Sequence, residues 1–321
     1  MATYIKRKTG WLAQIRRKGH DTICRTFDTK VEAERWAIGV ESKMGEGRYQ
    51  DTREALTTTL SECLNRYERE VTVSKKGADQ ERYRIALWLR DDLANKAIGA
   101  IKSSDIAKWR DARIASGTSS GTVRLDLALI SNLYTIAIQE WGLPVINPVT
   151  NIRKPSPGKA RERCLLPGEE DIILGECSPE MRIIVILAIE TAMRRGEIIG
   201  LRYEMIAGVV ITLPDTKNGT VRKVPLSTRA LAALSEMPSR SEGKVFSYTE
   251  HGCTQMFVKY CQRLNIKDLR FHDLRHHALT RMAAEKGLSV MELKAVSGHK
   301  CVQMLSRYVN IDINNLANKL D

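Results

Sequence analysis

Val209-Val210-Ile211-Thr212-Leu213, then Asn218-Gly219, then Val221-Arg222-Lys223-Val224-Pro225 reads as strand, turn and strand. Asn-Gly between two alternating apolar runs is a strong short-range hairpin signal, because both residues tolerate the positive φ of a tight primed turn. On either side, from Leu165 onward, the periodicity is helical, and the apolar run Ile183 to Ile189 lies just upstream. A β-hairpin set inside helices makes residues 160–321 a mixed α/β domain. It also makes the whole chain mainly α with small β elements, an α+β fold.

Upstream of Leu165 the stretch from Pro144 to Pro167 holds five of the nine prolines and a basic Lys154-Pro155-Ser156-Pro157-Gly158-Lys159 segment, which reads as a linker. Before it, Leu60 to Trp141 is helical throughout. Leu60, Leu64, Tyr67 and Val71 form one stripe, and Leu125, Leu129, Leu133, Ile136 and Trp141 are among the apolar positions of a long last helix. Ser104 and Ser119-Ser120 are candidate N-caps, giving about four helices in residues 56–150. Residues 3–27 alternate in short runs around Arg17-Lys18-Gly19-His20-Asp21, the pattern of a small antiparallel sheet. Thr29 with Glu32 is a capping box, and Ala33, Trp36, Ala37, Val40 and Met44 follow at helical spacing. One helix therefore packs on that sheet. Gly45-Glu46-Gly47-Arg48 closes a first domain of residues 1–55.

A length of 321 residues suits two domains and a small third at about 150 residues per domain. With 43% hydrophobic and 28% charged residues, the composition excludes a disordered or collagen-like chain. No apolar run approaches the roughly 20 residues of a membrane span, and Lys6, Arg7 and Lys8 precede no apolar leader. The expectation is a soluble, unexported, cytoplasmic protein. Its seven cysteines are odd in number and include no C-x-x-C pair, so reduced, buried thiols are expected. The net charge of +13 is spread evenly. Residues 1–55 carry 12 basic and 8 acidic side chains, residues 56–160 carry 16 and 11, and residues 161–321 carry 23 and 19. A surplus shared by every segment suits one polyanion touched along the molecule, and duplex DNA fits better than a membrane patch. The alternative from charge alone is a generically basic protein.

P-loop, H-E-x-x-H, G-x-S-x-G and zinc-spacing signatures are all missing from the sequence. What remains is ordered. It comprises Thr191-Ala192-Met193-Arg194-Arg195-Gly196-Glu197, Lys217 in the hairpin, His272-Asp273-Leu274-Arg275-His276, Gly298-His299 and Arg307-Tyr308. Singly, each is more often a surface charge or a packing residue; together, and in this order, they resemble the tyrosine recombinase (phage integrase) family. The step from His299 to Tyr308 matches the family's usual spacing, and His272 and Arg275 share a helix face. Residues 165–321 carry the resemblance most strongly. The stretch Ser289 to Tyr308 and the terminal Asn318-Lys319-Leu320-Asp321 are also similar to shufflon-type DNA invertases.

The chemistry that the resemblance implies explains the residue types. Transesterification of a DNA phosphodiester needs a nucleophile, cations for the phosphorane and a proton for the leaving 5′ oxygen. Tyr308 is the expected nucleophile and His272 the candidate base. Arg194 and Arg275 offer planar forks for two phosphate oxygens. Lys217 is the candidate acid, His299 a donor to a phosphate oxygen, and Glu197 an orienting carboxylate or a plain helix-surface charge. The bond energy stays in a 3′-phosphotyrosine, so neither metal nor cofactor is expected. His276 and His277 lack a carboxylate or Cys at ligand spacing and read as packing or supporting residues. Ala192 where Gly is common, and Ser297 where Leu is frequent, depart from the family pattern at positions expected to lie outside the chemistry.

Residues 1–55 resemble the small sheet-plus-helix arm-binding domains of phage and genomic-island integrases, with Gln14, Arg16, Arg17, Lys18 and Arg25 as candidate DNA contacts. The alternative is a solvated basic face. Residues 56–150 read as the helical core-binding (SAM-like) domain. Because chromosome dimer-resolving recombinases lack the extra front domain, integration and excision of a mobile element is the favoured reading. The resemblance also implies a homotetramer on core-type and arm-type DNA sites, a Holliday junction, and DNA-bending and directionality factors as partners. The alternatives are a shufflon-type invertase, a type IB topoisomerase and a DNA-binding regulator that does not cut.

Overall fold

In a computed structural model of the chain, residues 2–158, 161–214, 221–238 and 240–309 are described. The chain divides into two units, residues 1–159 and 160–321.

The first unit opens with an antiparallel sheet of β1 (Ala2–Arg7), β2 (Gly10–Ile15) and β3 (Ile23–Phe27). Thr29 and Glu32 cap each other's backbone N–H groups at 3.3 and 3.2 Å and start α1 (Lys30–Gly45). Its Ala37 and Met44 pack on Ile15 and Ile23. Side chains alternate across a strand, so Ala13, Ile15 and Ile23 take the covered face and Leu12 and Gln14 the other.

After the short α2 (Arg53–Thr57) come four longer helices: α3 (Leu60–Glu70), α4 (Ala78–Leu89), α5 (Ser103–Ala115) and α6 (Ser120–Gln139). The α3 stripe is buried at Leu60, Leu64 and Tyr67. Two sequence expectations need correction. The cap of α5 falls at Lys102, whose N–H donates to Asp105 at 3.0 Å, because the carboxylate is the better acceptor and Ser104 lies inside the first turn. In α6 the buried apolar positions are Val123, Leu127, Ile130, Tyr134 and Ala137 with Leu129 and Leu133, while Leu125 is exposed and Trp141 lies beyond the helix. A helix apolar on several faces does not declare its inner face by periodicity alone.

The second unit is built on α8 (Pro179–Thr191), preceded by α7 (Glu169–Glu176). Every residue of Ile183–Ile189 is buried, as a helix apolar all round must be. It packs between α12 (Phe271–Ala284) and α10 (Thr228–Ser235). After α8 come α9 (Arg195–Ile199) and an antiparallel sheet of β4 (Ile206–Ala207), β5 (Val210–Leu213) and β6 (Arg222–Pro225). Ile211 pairs with Val224 and Leu213 with Arg222, putting Arg222 on the buried side. Lys217 and the Asn218-Gly219 turn lie outside the described residues. α11 (Glu250–Arg263) and α13 (Val290–Ser297) complete the unit.

Ahead of α7, Arg161 binds Asp273 with Nε at 2.9 Å and Asp268 with Nη1 at 2.8 Å, and its own carbonyl accepts from Arg307 Nη2 at 2.7 Å. All seven cysteines are free, but only Cys63, Cys177, Cys253 and Cys261 are buried. Cys24 and Cys301 are exposed and Cys164 is partly so, which corrects the expectation of uniformly buried thiols. Cys24 stands on the uncovered face of the sheet, opposite Gln14, and Cys301 follows the loop after α13. Among the described residues no helix is long and apolar enough to cross a membrane.

Candidate active site

Four backbone devices bring the motif residues of the second unit together. α8 ends at Ala192 in the left-handed region (φ 51°), and the chain turns so that Arg194 stands at the N-cap of α9. α12 carries His272, Arg275 and His276 on successive turns. Gly298, with φ 66°, reverses the chain after α13 and delivers His299. The single turn Ser306–Tyr308 seats Tyr308 on Ala192, Ala278, Leu279, Leu293 and Leu305.

Glu197 holds Arg194 twice, accepting its backbone N–H at 2.8 Å and its Nη1 at 2.9 Å. The same carboxylate accepts Arg222 Nη2 at 2.7 Å. Burial alone would raise the Glu197 pKa, but the Arg194 hydrogen bonds and the Arg222 charge outweigh it and the net shift is downward. Glu197 is thus an anion here, not a plain surface charge.

Arg275 is 3% exposed and donates Nη1 to the Ala192 carbonyl and Nη2 to the Ser297 carbonyl at 2.8 Å. Burial and then the neighbouring Arg194 push its pKa down to about 9, still above neutral, so it remains a cation. Arg222, 7% exposed, donates to the same Ser297 carbonyl at 2.8 Å. A side chain at Gly298 would overlap the Arg222 guanidinium, and positive φ already favours glycine there. Ala192 and Ser297 therefore lie within the site, against the expectation that they stand apart from it. Ala192 takes part through its backbone oxygen, which carries no residue signature, and Ser297 through both its carbonyl and its hydroxyl. Arg222 was likewise missed; its signal is the parity it shares with Val224 on β6, which points a cation inward.

His299 Nδ1 lies 2.7 Å from Ser297 Oγ, and that hydroxyl already donates to the Leu293 carbonyl. The hydrogen-bond network thus assigns the proton to Nδ1 and leaves the Nε2 lone pair near Arg275, 3.5 Å away. Burial, followed by Arg275 and Arg194, pushes the His299 pKa down to about 4. His272 is exposed as a residue, yet loss of solvation and then Arg275 lower its pKa too. Its ring meets the His276 ring edge to face at 5.1 Å.

The Tyr308 hydroxyl is hydrogen-bonded to His276 Nδ1. The sequence marks His272 as the candidate base, and His276 stands one helical turn from it on α12. One helical turn separates the two histidines, and spacing alone does not choose between them. Burial raises the Tyr308 pKa against the lowering pull of Arg307 and Arg275. Burial also pushes His276 down to about 4, with His272 and Arg307 adding to it. Among the described residues no group of three His, Cys, Asp or Glu side chains is placed to hold a metal.

These shifts fix a pH dependence. A histidine near 4 when folded and about 6.5 when unfolded binds its proton in the unfolded chain first, so its contribution is intact above pH 6.5 and is lost as pH falls towards 4. Discounted for solvent screening, we expect a loss of about 1 kcal/mol between pH 7 and 5, or about 3 °C in melting temperature. His299→Gln should shrink that drop. A melting temperature unchanged from pH 7 to 5 contradicts the burial of both rings.

The sheet of the first unit does not assemble its candidate contacts. Gln14 pairs with Thr3 and Cys24 on the uncovered face, whereas Arg25 pairs with Ala13 on the face turned to α1 and stacks on Phe27 at 5.2 Å. Arg16, Arg17 and Lys18 follow β2 in the turn, with Arg17 Nη1 on the Glu41 carbonyl at 2.8 Å.

Residues 165–315 match the phage integrase family. A shufflon-specific DNA recombinase of Escherichia coli is 42% identical over 275 residues, covering 82% of this chain and 72% of that protein. The integrase of Salmonella phage P22 is 24% identical over 339 residues, covering 89% of this chain and 82% of its own. In fold, the chain is similar to the lambda integrase, solved as a dimer bound to a COC′ core site (TM-score 0.68, 20% identity, 97% of both chains). The same integrase as a tetramer on a Holliday junction gives a TM-score of 0.65 at 17% identity, over 97% of this chain and 98% of that one.

Proposed function

The chain belongs to the phage integrase family of tyrosine recombinases, and from that premise we propose that it cuts and rejoins duplex DNA at specific sites with Tyr308 as nucleophile. One observation carries this reading: Glu197 joins Arg194 to Arg222, the Ser297 carbonyl joins Arg222 to Arg275, and His299 stands beside Arg275 in the same unit that packs Tyr308 on Ala192. Such a cluster is costly to assemble without an anion to receive, and a phosphodiester supplies one.

In the proposed reaction the Tyr308 oxygen attacks phosphorus, the 5′ oxygen–phosphorus bond breaks, and the DNA is held as a 3′-phosphotyrosine. A 5′ hydroxyl from the partner strand reverses the step, so the bond energy is retained. Arg194 and Arg275 bind the two non-bridging oxygens as bidentate forks. Glu197 fixes Arg194, His299 takes a proton on Nε2 once the bound phosphate offsets the neighbouring cations and then donates it to a phosphate oxygen, and Lys217 protonates the leaving 5′ oxygen. His272, at the rim, contacts the phosphate.

Residues 1–55 serve in this reading as an arm-site domain, 56–150 as a core-site domain and 160–321 as the catalytic domain. Four copies act on two duplexes, with bending and directionality factors. Of the candidate DNA contacts, Gln14 on the uncovered sheet face is the base reader, while Arg16, Arg17, Lys18 and Arg25 hold phosphates. The arm-like front domain supports integration and excision of a mobile element. A second reading, inversion between paired sites, is favoured by the 42% identity to a shufflon-specific recombinase.

The test begins with duplexes selected from a random pool by retention on the protein. With a nicked selected duplex, the covalent adduct should keep a label at the 5′ end of the cut strand and lose one at its 3′ end. An adduct of opposite polarity, or none, overturns the proposal. Placed in inverted orientation on one plasmid, two such sites recombining without flanking DNA favour inversion; a requirement for flanking DNA that disappears with residues 1–55 deleted favours integration.

A further inference from the structure

Among the described residues, His276 is the side chain in hydrogen-bond contact with the Tyr308 hydroxyl, and it is neither of the two histidines that the motif pattern marks. Its position is enforced from several directions. The backbone of His276 is tied by the Thr280 hydroxyl, which donates to its carbonyl at 3.0 Å. The imidazole is partly buried between the edge-on His272 ring at 5.1 Å and the tilted Tyr308 ring at 6.0 Å. Charged and titratable groups around it are His272, Asp273 and Arg275 on its own helix, Arg307 and Tyr308 on the C-terminal turn, and His299 after α13.

A neutral imidazole has one lone-pair nitrogen, and a phenol presenting its O–H to that nitrogen is already aligned for proton transfer. We infer that His276 is a catalytic residue that accepts the Tyr308 proton as the phenol oxygen attacks phosphorus. The inference rests on Tyr308 being the nucleophile. In the step, the Tyr308 O–H bond breaks, its proton passes to His276 Nδ1, and the freed oxygen pair forms the bond to phosphorus. On the other side, the 5′ oxygen leaves with the pair of its bond to phosphorus and takes a proton from Lys217. Religation returns the proton from His276 to the phenol.

The free protein holds His276 neutral, because burial and the surrounding cations penalise a second positive charge there. A phosphodiester, and still more the doubly charged phosphorane, compensates those cations and makes His276 a stronger base at the moment of attack. His272, exposed at the rim, is left to contact the phosphate.

Two variants and one spectrum test this with the full chain and the nicked selected duplex. His276→Asn places an amide where Nδ1 stood, able to hold the phenol but unable to take its proton; His276→Ala does neither. Both should bind the duplex normally and form the adduct on the order of 100-fold more slowly, since general bases supply about that much or more. The loss in His276→Asn should shrink as pH rises, when solvent ionises the phenol. In 15N spectra of the free protein, His276 Nδ1 should carry the signature of an unprotonated acceptor and shift in Tyr308→Phe. Adduct formation by His276→Asn within a few-fold of wild type makes His276 a holding group and overturns the inference, as does a Nδ1 signal indifferent to Tyr308→Phe. A wild-type protein that forms no adduct overturns the recombinase reading instead.

Discussion

Tyr308→Phe should bind the selected duplex as tightly as the parent chain and form no covalent adduct at all. The phenol ring packs on Leu305, Ala278 and their neighbours, and phenylalanine keeps that contact. Among the described residues its hydroxyl has His276 as hydrogen-bond partner, so deletion leaves that imidazole nitrogen to be satisfied by water or a changed tautomer. Stability should therefore move by no more than about 1 kcal/mol, while the reaction loses its nucleophile outright. Denaturing electrophoresis of the nicked duplex separates these quantities. An adduct trapped by Tyr308→Phe would place the nucleophile on another side chain.

The two clamp arginines should fail in different ways. Arg194→Lys keeps a charge at a site 22% exposed by side-chain area and gives up one contact to Glu197, so its folding should be close to normal. Arg275→Lys removes the donor to the Ala192 carbonyl and one of the two donors to the Ser297 carbonyl, which keeps Arg222, and an unsatisfied buried acceptor costs about 1–3 kcal/mol. We expect both variants to cleave on the order of 100-fold to 1000-fold more slowly, because a point charge cannot grip two phosphate oxygens as a fork does. Only Arg275→Lys should also melt several degrees lower. Cleavage within a few-fold of wild type in either case removes that arginine from the reaction.

The parts of this molecule that sequence could announce are those where residue type and geometry coincide. The Thr29–Glu32 cap, the α3 stripe and the all-apolar α8 each follow from a local rule that tertiary packing had no reason to override. The polar cluster was legible for a related reason, since guanidinium, imidazole and phenol in that order have few uses together. What stayed hidden was relational. Ala192 acts through a carbonyl and Ser297 through a carbonyl and a hydroxyl, which of two histidines meets the phenol turns on one helical turn of reach, and Arg222 looks like any strand-edge cation until its partner Glu197 is placed beside it. Leu125 and Ser104 misled because α6 has apolar residues on more than one face and because Asp105 outcompetes a serine one position earlier.

Arg161 fastens two parts of the second unit to each other. Its guanidinium grips Asp273 at the head of the helix bearing His272, Arg275 and His276, and its carbonyl restrains Arg307, the residue before Tyr308. One residue thus ties the helix of His272, Arg275 and His276 to the turn that carries Tyr308, so that the two sides of the cluster share a fastening.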